Sequence, residues 1–206
     1  GKIKELELLK KLTEKKYRSR DPEQNLYDIK AQLASNQRGI LELKRIISSH
    51  GKETVNKYVD FIKENCSEII FKEIKKISYS EFSSKMDNGA LIKVKVNFDR
   101  KIKKLKIDFT GSSEQLSNNF NAPLAVTKSV IIYFLRTLIT KDIPLNEGFL
   151  KDIVTIIPKN SMLNPNYPSP VVAGNVETSQ HLIDILNVAL KVQSACYGTM
   201  SNITWR

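Results

Sequence analysis

The sequence has few of the residues from which metal sites, disulfide frameworks and membrane spans are built. Its 206 residues include two histidines, two cysteines and one tryptophan. His50 and His181 stand in no HxxxH or HExxH pattern, and Cys66 and Cys196 form no CxxC motif. The longest apolar run, residues 130–135, is far shorter than the ~20 residues of a membrane-spanning helix. We therefore predict no metal site and no membrane span, and we expect a cytoplasmic protein with two buried, reduced thiols.

Familiar catalytic and nucleotide-binding motifs are also missing. The sequence contains no GxSxG elbow, no GxxxxGK[ST] loop and no GxGxxG turn, so nothing in it predicts ATP binding by this chain. The two histidines have simpler explanations than catalysis. His50 precedes Gly51 at the end of a predicted helix, where its ring can meet the last carbonyls. His181 falls in the first turn of another predicted helix, where a surface or packing role is expected.

Positive charge is abundant, with 33 basic and 22 acidic residues and a net charge of +11. The basic residues concentrate in segments 10–20 and 93–106, on helix faces and on alternating strand positions. Neither segment has interleaved aromatic residues or a recognisable RNA- or DNA-binding motif. We therefore expect solvated basic faces and no nucleic-acid partner. The alternative, nucleic-acid binding, predicts tight and steeply salt-dependent association.

Three helices are predicted in the first third of the chain. Apolar residues at three-residue steps indicate a helix over residues 2–17. Asp21 and Pro22 are typical of an N-cap and first helical residue, which begin a second helix that ends at Gly51. A third helix is expected over residues 53–77. Its predicted inward positions are Val55, Val59, Ile62, Cys66, Ile69, Ile70 and Ile74.

Further along the chain, apolar residues recur at every second position instead of every third or fourth. Alternation in residues 91–98 and 105–109, separated by a turn at Asp99, predicts a β-hairpin with lysines on its wet face. Further elements are a buried helix over 125–140, a short strand over 153–157, and a last helix that Thr178 or Ser179 would cap. The inward positions of that helix are Leu182, Ile185, Leu186 and Ala189. The predicted class is α+β, with N-terminal helices, a hairpin-containing sheet and further packed helices.

Three polar loops at element ends are the candidate functional segments, because scaffolds commonly present function there. We call residues 108–115 the first loop, 118–123 the second loop and 173–180 the third loop. Each is rich in Gly, Asn, Ser or Thr. The same residues also form turns and cap helices without any function, so a purely structural role stays open at this point.

Six segments taken together resemble the hydantoinase B/5-oxoprolinase-type family, most of all its 5-oxoprolinase branch. They occur in the family's order and span roughly residues 18–204. The segments are Asp28–Gly39 (DIKAQLASNQRG), Asp108–Gly111 (DFTG), Asn119–Pro123 (NFNAP), Asp142–Gly148 (DIPLNEG), Gly174–Gln180 (GNVETSQ) and Gly198–Asn202 (GTMSN). Two positions depart from the family pattern. Ala173 replaces the first glycine of a Gly-Gly-Asn, and His181 replaces a common arginine.

The resemblance implies part of an ATP-dependent enzyme that opens cyclic amides. It implies residues 1–20 as an N-terminal helix and linker, and 21–206 as an internal part of the family's domain. The expected parent protein would work as a homo- or hetero-oligomer with a hydantoinase A-type subunit or domain, which supplies ATP binding. The parent would also use a divalent metal, held by segments upstream of this region. The fragment itself is expected to bind no cofactor and to be inactive alone.

The resemblance and the loop chemistry together give the candidate site residues. Neutral polar side chains can hydrogen-bond a ring amide and an attacking water without the desolvation cost of a buried charge. The predicted catalytic carboxylates are Asp108 and Glu177. The predicted substrate-binding residues are Thr110, Gly111, Asn119, Asn121, Gly174, Asn175, Ser179 and Gln180. The remaining alternatives are a subunit of a related ketone carboxylase and a non-catalytic interaction domain derived from the family.

Overall fold

The structure, a computed structural model, describes residues 4–14, 16 and 18–195. It divides into two compact units, Gly1–Asp60 and Phe61–Arg206, and the division falls inside the third helix. The boundary expected after residue 20 lies within the first unit. No helix of the described ranges is both long and apolar enough to cross a membrane.

The first unit begins with α1 (Glu5–Thr13) and α2 (Pro22–His50). The predicted start of α2 is confirmed, because the Asp21 side chain accepts a hydrogen bond from the Gln24 N–H at 3.0 Å and Pro22 occupies the first helical turn. The helix ends before Gly51, whose φ of +80° suits glycine. α1 is shorter than the predicted 2–17, since its helical pattern ends at Thr13.

α2 exposes most of its apolar stripe within this unit. Leu26 is its one buried residue, whereas Leu33, Ile40 and Leu43 are 43%, 48% and 50% exposed. The first half of α3 (Lys52–Ile74) behaves in the same way. The prediction that Val59 and Ile62 point inward is wrong for this chain, because both side chains are more than 40% exposed. The spacing of apolar residues predicted where these helices lie, but it did not predict whether their apolar faces are buried.

The second unit is built on a four-stranded mixed sheet with strand order β1-β2-β3-β4. The strands are β1 (Ser80–Lys85), β2 (Leu91–Asp99), β3 (Lys104–Asp108) and β4 (Ile153–Ile156). β1, β2 and β3 are antiparallel neighbours, and β4 runs parallel to β3. The predicted β2–β3 hairpin is confirmed, with Val96 opposite Ile107. Its alternate residues Lys93, Lys95 and Lys106 lie on the open face of the sheet, as the alternation indicated.

Helices cover the other face of the sheet. α4 (Leu124–Thr137) and α5 (Glu177–Leu190) pack on each other, and α5 contacts β1 and β2. The end of α3 completes the core with Cys66, Ile70 and Ile74, all at most 2% exposed. The four predicted inward residues of α5 are all buried. This sheet and the five α-helices of the described residues confirm the α+β class.

Two features of this unit differ from the sequence-based prediction. β1 was not predicted, because two of its three core-side residues are Ser80 and Ser84, so only Phe82 gave the pattern an apolar position. The capping prediction for α5 is also wrong. The helix begins at Glu177 after Val176, and no side chain caps it.

The Cys66 thiol is buried, as predicted, and burial raises its pKa, although a backbone hydrogen bond from Asn146 acts in the opposite direction. Cys196 lies outside the described residues, as does the segment 198–202 that contributed to the family resemblance.

Candidate functional site

The second and third loops lie against each other in the second unit. The Ala173 N–H donates to the Asn119 carbonyl at 2.9 Å, and the Thr178 hydroxyl donates to the Phe120 carbonyl at 2.5 Å. Thr178 is fully buried, so its hydroxyl joins the loops instead of capping α5. Two segments that are more than 50 residues apart in the sequence thus form one surface at the start of α5.

Gly174 is required where these loops cross. It is buried in the short 3-10 helix Val172–Asn175, directly against the backbone of the second loop. A Cβ at position 174 would lie 2.0 Å from the Asn121 carbonyl oxygen and 2.8 Å from the Ala122 Cα. No real Cβ approaches backbone atoms this closely, so only glycine allows the contact.

The Asn121 side chain holds the second loop in shape. It is fully buried, and its Oδ1 accepts from the Leu116 N–H at 2.7 Å. Its Nδ2 donates to the carbonyls of Leu116, Asn118 and Pro170 at 2.9, 3.0 and 2.9 Å. Because the backbone already occupies both ends of this amide, Asn121 acts in this structure as a positioning residue.

The first loop ends β3 and is tied to β2. The Ser112 and Ser113 hydroxyl oxygens accept hydrogen bonds from the backbone N–H groups of Lys93 and Leu91 at 3.1 and 2.9 Å. Gly111 has a φ of +97°, a left-handed conformation that favours glycine. The candidate residues Thr110 and Gly111 are both exposed in this turn.

Asp108 lies on the open face of the sheet. Its carboxylate accepts a hydrogen bond from the Thr110 N–H at 2.9 Å and lies 3.6 Å from the Lys106 ammonium. Burial acts to raise the pKa of Asp108, but the hydrogen bonds from Thr110 and the positive charge of Lys106 outweigh it and hold the pKa below its ordinary value. An ionised Asp108 can therefore accept hydrogen bonds or support a cation near neutral pH.

Glu177, the other predicted catalytic carboxylate, lies on the side of the sheet that the helices cover. It is the first residue of α5 and is half-buried, whereas Asp108 alternates with the buried Ile107 and Phe109 and so points away from α5. The structure does not bring the two carboxylates onto the same face. The fold of this chain therefore does not bring these two carboxylates together as a pair that could act on one substrate.

Three of the predicted substrate residues line one cleft. The cleft lies between α4 and α5 and has a volume of about 260 Å³. Its lining residues are Val126, Ser129, Val130, Tyr133, Asn175, Ser179, Gln180 and Ile183. The Ser179 hydroxyl donates to the Asn175 carbonyl at 2.7 Å, which leaves its oxygen lone pairs available as acceptors. Asn119, on the second loop, is exposed and is not among the residues of the cleft.

The α4 side of this cleft was not anticipated from the sequence. Residues 126, 129, 130 and 133 follow the spacing of a single helical face, which the pattern could have revealed. That signal was hidden because Ser129 and Tyr133 interrupt an apolar helix that otherwise predicts core packing.

The segment 142–148, another part of the family resemblance, packs against α3. Asn146 caps a short 3-10 helix by accepting from the Gly148 N–H at 2.8 Å, and Glu147 forms a 2.8 Å ion pair with Lys63. A Cβ at Gly148 would lie 2.1 Å from the Lys63 carbonyl oxygen. This segment therefore has a packing role in the unit.

The described residues do not fit a metal ion. Over residues 4–14, 16 and 18–195, no group of three or more His, Cys, Asp and Glu side chains could hold one.

Comparison with known proteins identifies the family. The profile described as hydantoinase B/oxoprolinase matches residues 1–206. The chain belongs to the hydantoinase B/oxoprolinase family. The chain is 36% identical over 197 residues to the 5-oxoprolinase of Dictyostelium discoideum. The matched region covers 91% of this chain but 16% of that protein. It is also 36% identical over 197 residues to 5-oxoprolinase 1 of Arabidopsis thaliana, again over 16% of that protein. The chain thus spans about one sixth of the length of these curated relatives.

Two solved structures share the fold. The ATP-dependent caprolactamase of Pseudomonas jessenii matches 96% of this chain and 34% of its own, with a TM-score of 0.71 and 16% identity. A nucleotide-free acetone carboxylase matches 73% of this chain and 22% of its own, with a TM-score of 0.58 and 15% identity. At these identities the likeness shows the fold alone.

Proposed function

We propose that the chain forms part of the substrate site of a longer enzyme that opens a cyclic amide at the expense of ATP. The observation that carries this proposal is the cleft between α4 and α5, whose lining includes Asn175, Ser179 and Gln180. These residues come from a segment that resembles the family independently of the cleft. The relatives at 36% identity are 5-oxoprolinases, which makes 5-oxoproline the first substrate to test.

The uncharged polar groups of the cleft suit the binding of the ring amide and of an attacking water, which are both uncharged. A ring amide presents one carbonyl acceptor and one N–H donor. Asn and Gln amides and a Ser hydroxyl can each donate and accept, so they can hold both ends of the ring amide and an attacking water. In the proposed division of labour, an A-type half activates the amide oxygen by phosphorylation. The B-type half, which includes this chain, directs water to the carbonyl carbon, and the ring C–N bond breaks as the ring nitrogen takes a proton. A second water then hydrolyses the remaining acyl phosphate to the carboxylate and inorganic phosphate.

The other candidate residues take supporting roles in this proposal. Gly174 and Asn121 hold the second and third loops together, so they position the cleft rather than touch the substrate. Glu177, the first residue of α5, is not among the residues that line the cleft, and it remains our candidate for a general base. Asp108, with its lowered pKa on the open sheet face, would serve a site completed by another part of the parent protein, together with Thr110 and Gly111.

The decisive experiment assays the purified full-length protein for ATP hydrolysis coupled to ring opening. The substrates are 5-oxoproline, hydantoin and caprolactam, each with and without ATP. We expect ATP-dependent formation of the open-chain product from at least one of them. If ATP is instead consumed only with acetone and bicarbonate, the protein is a ketone carboxylase. Failure with every substrate would leave the non-catalytic interaction domain as the better account.

A further inference from the structure

The cleft between α4 and α5 has a wall that the family resemblance did not include. α4 contributes Ser129 and Tyr133 beside the apolar Val126 and Val130, opposite the third-loop residues. The Tyr133 side chain is 62% exposed although it lines the cleft. A large aromatic surface at a cleft rim can therefore be covered further when a ligand enters.

The lining of the cleft is polar but uncharged. Among the described residues that line it there is no Asp, Glu, Lys, Arg or His side chain. Val126, Val130 and Ile183 form its apolar part, while the remaining residues supply hydroxyl and amide groups. An ionised group that entered the cleft would lose hydration without gaining an opposite charge, and that costs far more than the transfer of a neutral amide.

The cleft has room for a small ligand. Its volume of about 260 Å³ can hold a single small ring. The methylene edge of such a ring matches the apolar part of the lining, and its amide edge matches the Ser, Asn and Gln groups.

We infer that this cleft binds the uncharged ring of a cyclic amide, that Tyr133 contributes to ring binding, and that the carboxylate of a carboxylated substrate is bound outside the cleft. The inference rests on the proposed function for the identity of the ring. It goes further in two ways. It assigns the α4 wall of the cleft to ligand binding, and it places the substrate's ring and the substrate's carboxylate in different sites.

The test measures binding to the full-length protein, so that it does not depend on turnover. The probes are 5-oxoproline and 2-pyrrolidinone, which share a five-membered lactam ring and differ by the carboxylate. Dissociation constants are compared for the unaltered protein, Tyr133→Ala and Tyr133→Phe. The matched control is Tyr79→Ala, because Tyr79 is 63% exposed in the same unit but does not line this cleft.

We expect Tyr133→Ala to weaken both probes by the same factor, on the order of tenfold for the loss of an aromatic contact. Tyr133→Phe and Tyr79→Ala should leave both dissociation constants within about twofold, since about 0.4 kcal/mol corresponds to that factor. Melting curves of each variant check that it is folded. A loss for 5-oxoproline at least fivefold greater than for 2-pyrrolidinone would overturn the inference, as would unchanged binding of both probes or no binding of either.

The same experiment separates this inference from the proposed function. If both probes bind with equal dependence on Tyr133 but no cyclic amide is opened, the proposed reaction fails and the inference stands. If ATP-dependent ring opening occurs but neither probe responds to Tyr133→Ala, the reaction stands and the inference fails.

Discussion

The carbonyl oxygen of Asn121 occupies the space that a Cβ at position 174 would need, at a separation of 2.0 Å. Gly174→Ala must therefore push the second and third loops apart. We expect it to lower the free energy of unfolding by about 1–3 kcal/mol, the usual cost of overpacking. Urea unfolding of the 206-residue chain measures this change.

Gly39→Ala is the matched control for that substitution. Gly39 lies inside α2, and nothing within 4 Å would meet its added Cβ. Here the same change should raise helix stability by about 0.5–1 kcal/mol, because alanine loses less backbone entropy than glycine. A Gly174→Ala variant as stable as the unaltered chain would show that the loops do not cross as described.

Asn121→Ala should be more disruptive than its size suggests. The substitution removes the buried amide that pairs with the Leu116 N–H and with three backbone carbonyls. Since each buried unsatisfied group costs about 1–3 kcal/mol, we expect a loss of at least about 2 kcal/mol. Asn97→Ala, at an exposed strand position, should stay within about 0.5 kcal/mol. Equal unfolding midpoints for the two variants would contradict the role given to Asn121.

His181 makes the stability of the chain depend on pH. Burial lowers the pKa of His181, although the carboxylates of Asp184 and Asp87 act to raise it, and the buried Nε2 has no hydrogen-bond partner among the described residues. The unfolded chain therefore takes up this proton at a higher pH than the folded chain. The stability contributed by neutral His181 is complete above its ordinary pKa of about 6.5 and is lost as the pH falls toward the lowered folded value.

We accordingly expect a lower melting temperature at pH 5.5 than at pH 7.5, and a smaller decrease in His181→Gln. The chain supplies its own control in His50, an exposed residue at the end of α2. His50→Gln should retain the full decrease. If His50→Gln rather than His181→Gln flattened the pH profile, the burial argument would be wrong.

The fold was predictable from the sequence where local patterns and tertiary packing agree. Asp21 and Pro22 located the start of α2, and strict alternation located the β2–β3 hairpin. Prediction failed where a residue's role depends on a distant partner. Thr178 looked like a helix cap because its bond to the Phe120 carbonyl, 58 positions away, leaves no local signal.

The candidate site was predictable in part for the same reason. Loop composition and family resemblance pointed to the third loop, and the structure places Asn175 and Ser179 of that loop in a cleft. Nothing local distinguishes these residues from Asn121, whose amide is committed to the backbone. The exposed stripe of α2 likewise could not be recognised from its period, since an apolar helix face looks the same whether or not it is covered.

The most direct test of the central claim is the kcat/KM of ATP-dependent ring opening by the full-length protein carrying Asn175→Ala. Asn175 is exposed in the cleft, so its truncation should remove a ligand contact without unfolding the chain. We predict a decrease of about tenfold or more, the equivalent of about 1.4 kcal/mol, while Asn97→Ala stays at the unaltered value. A folded Asn175→Ala protein with kcat/KM within about twofold of the unaltered enzyme would contradict the assignment of this cleft to the substrate.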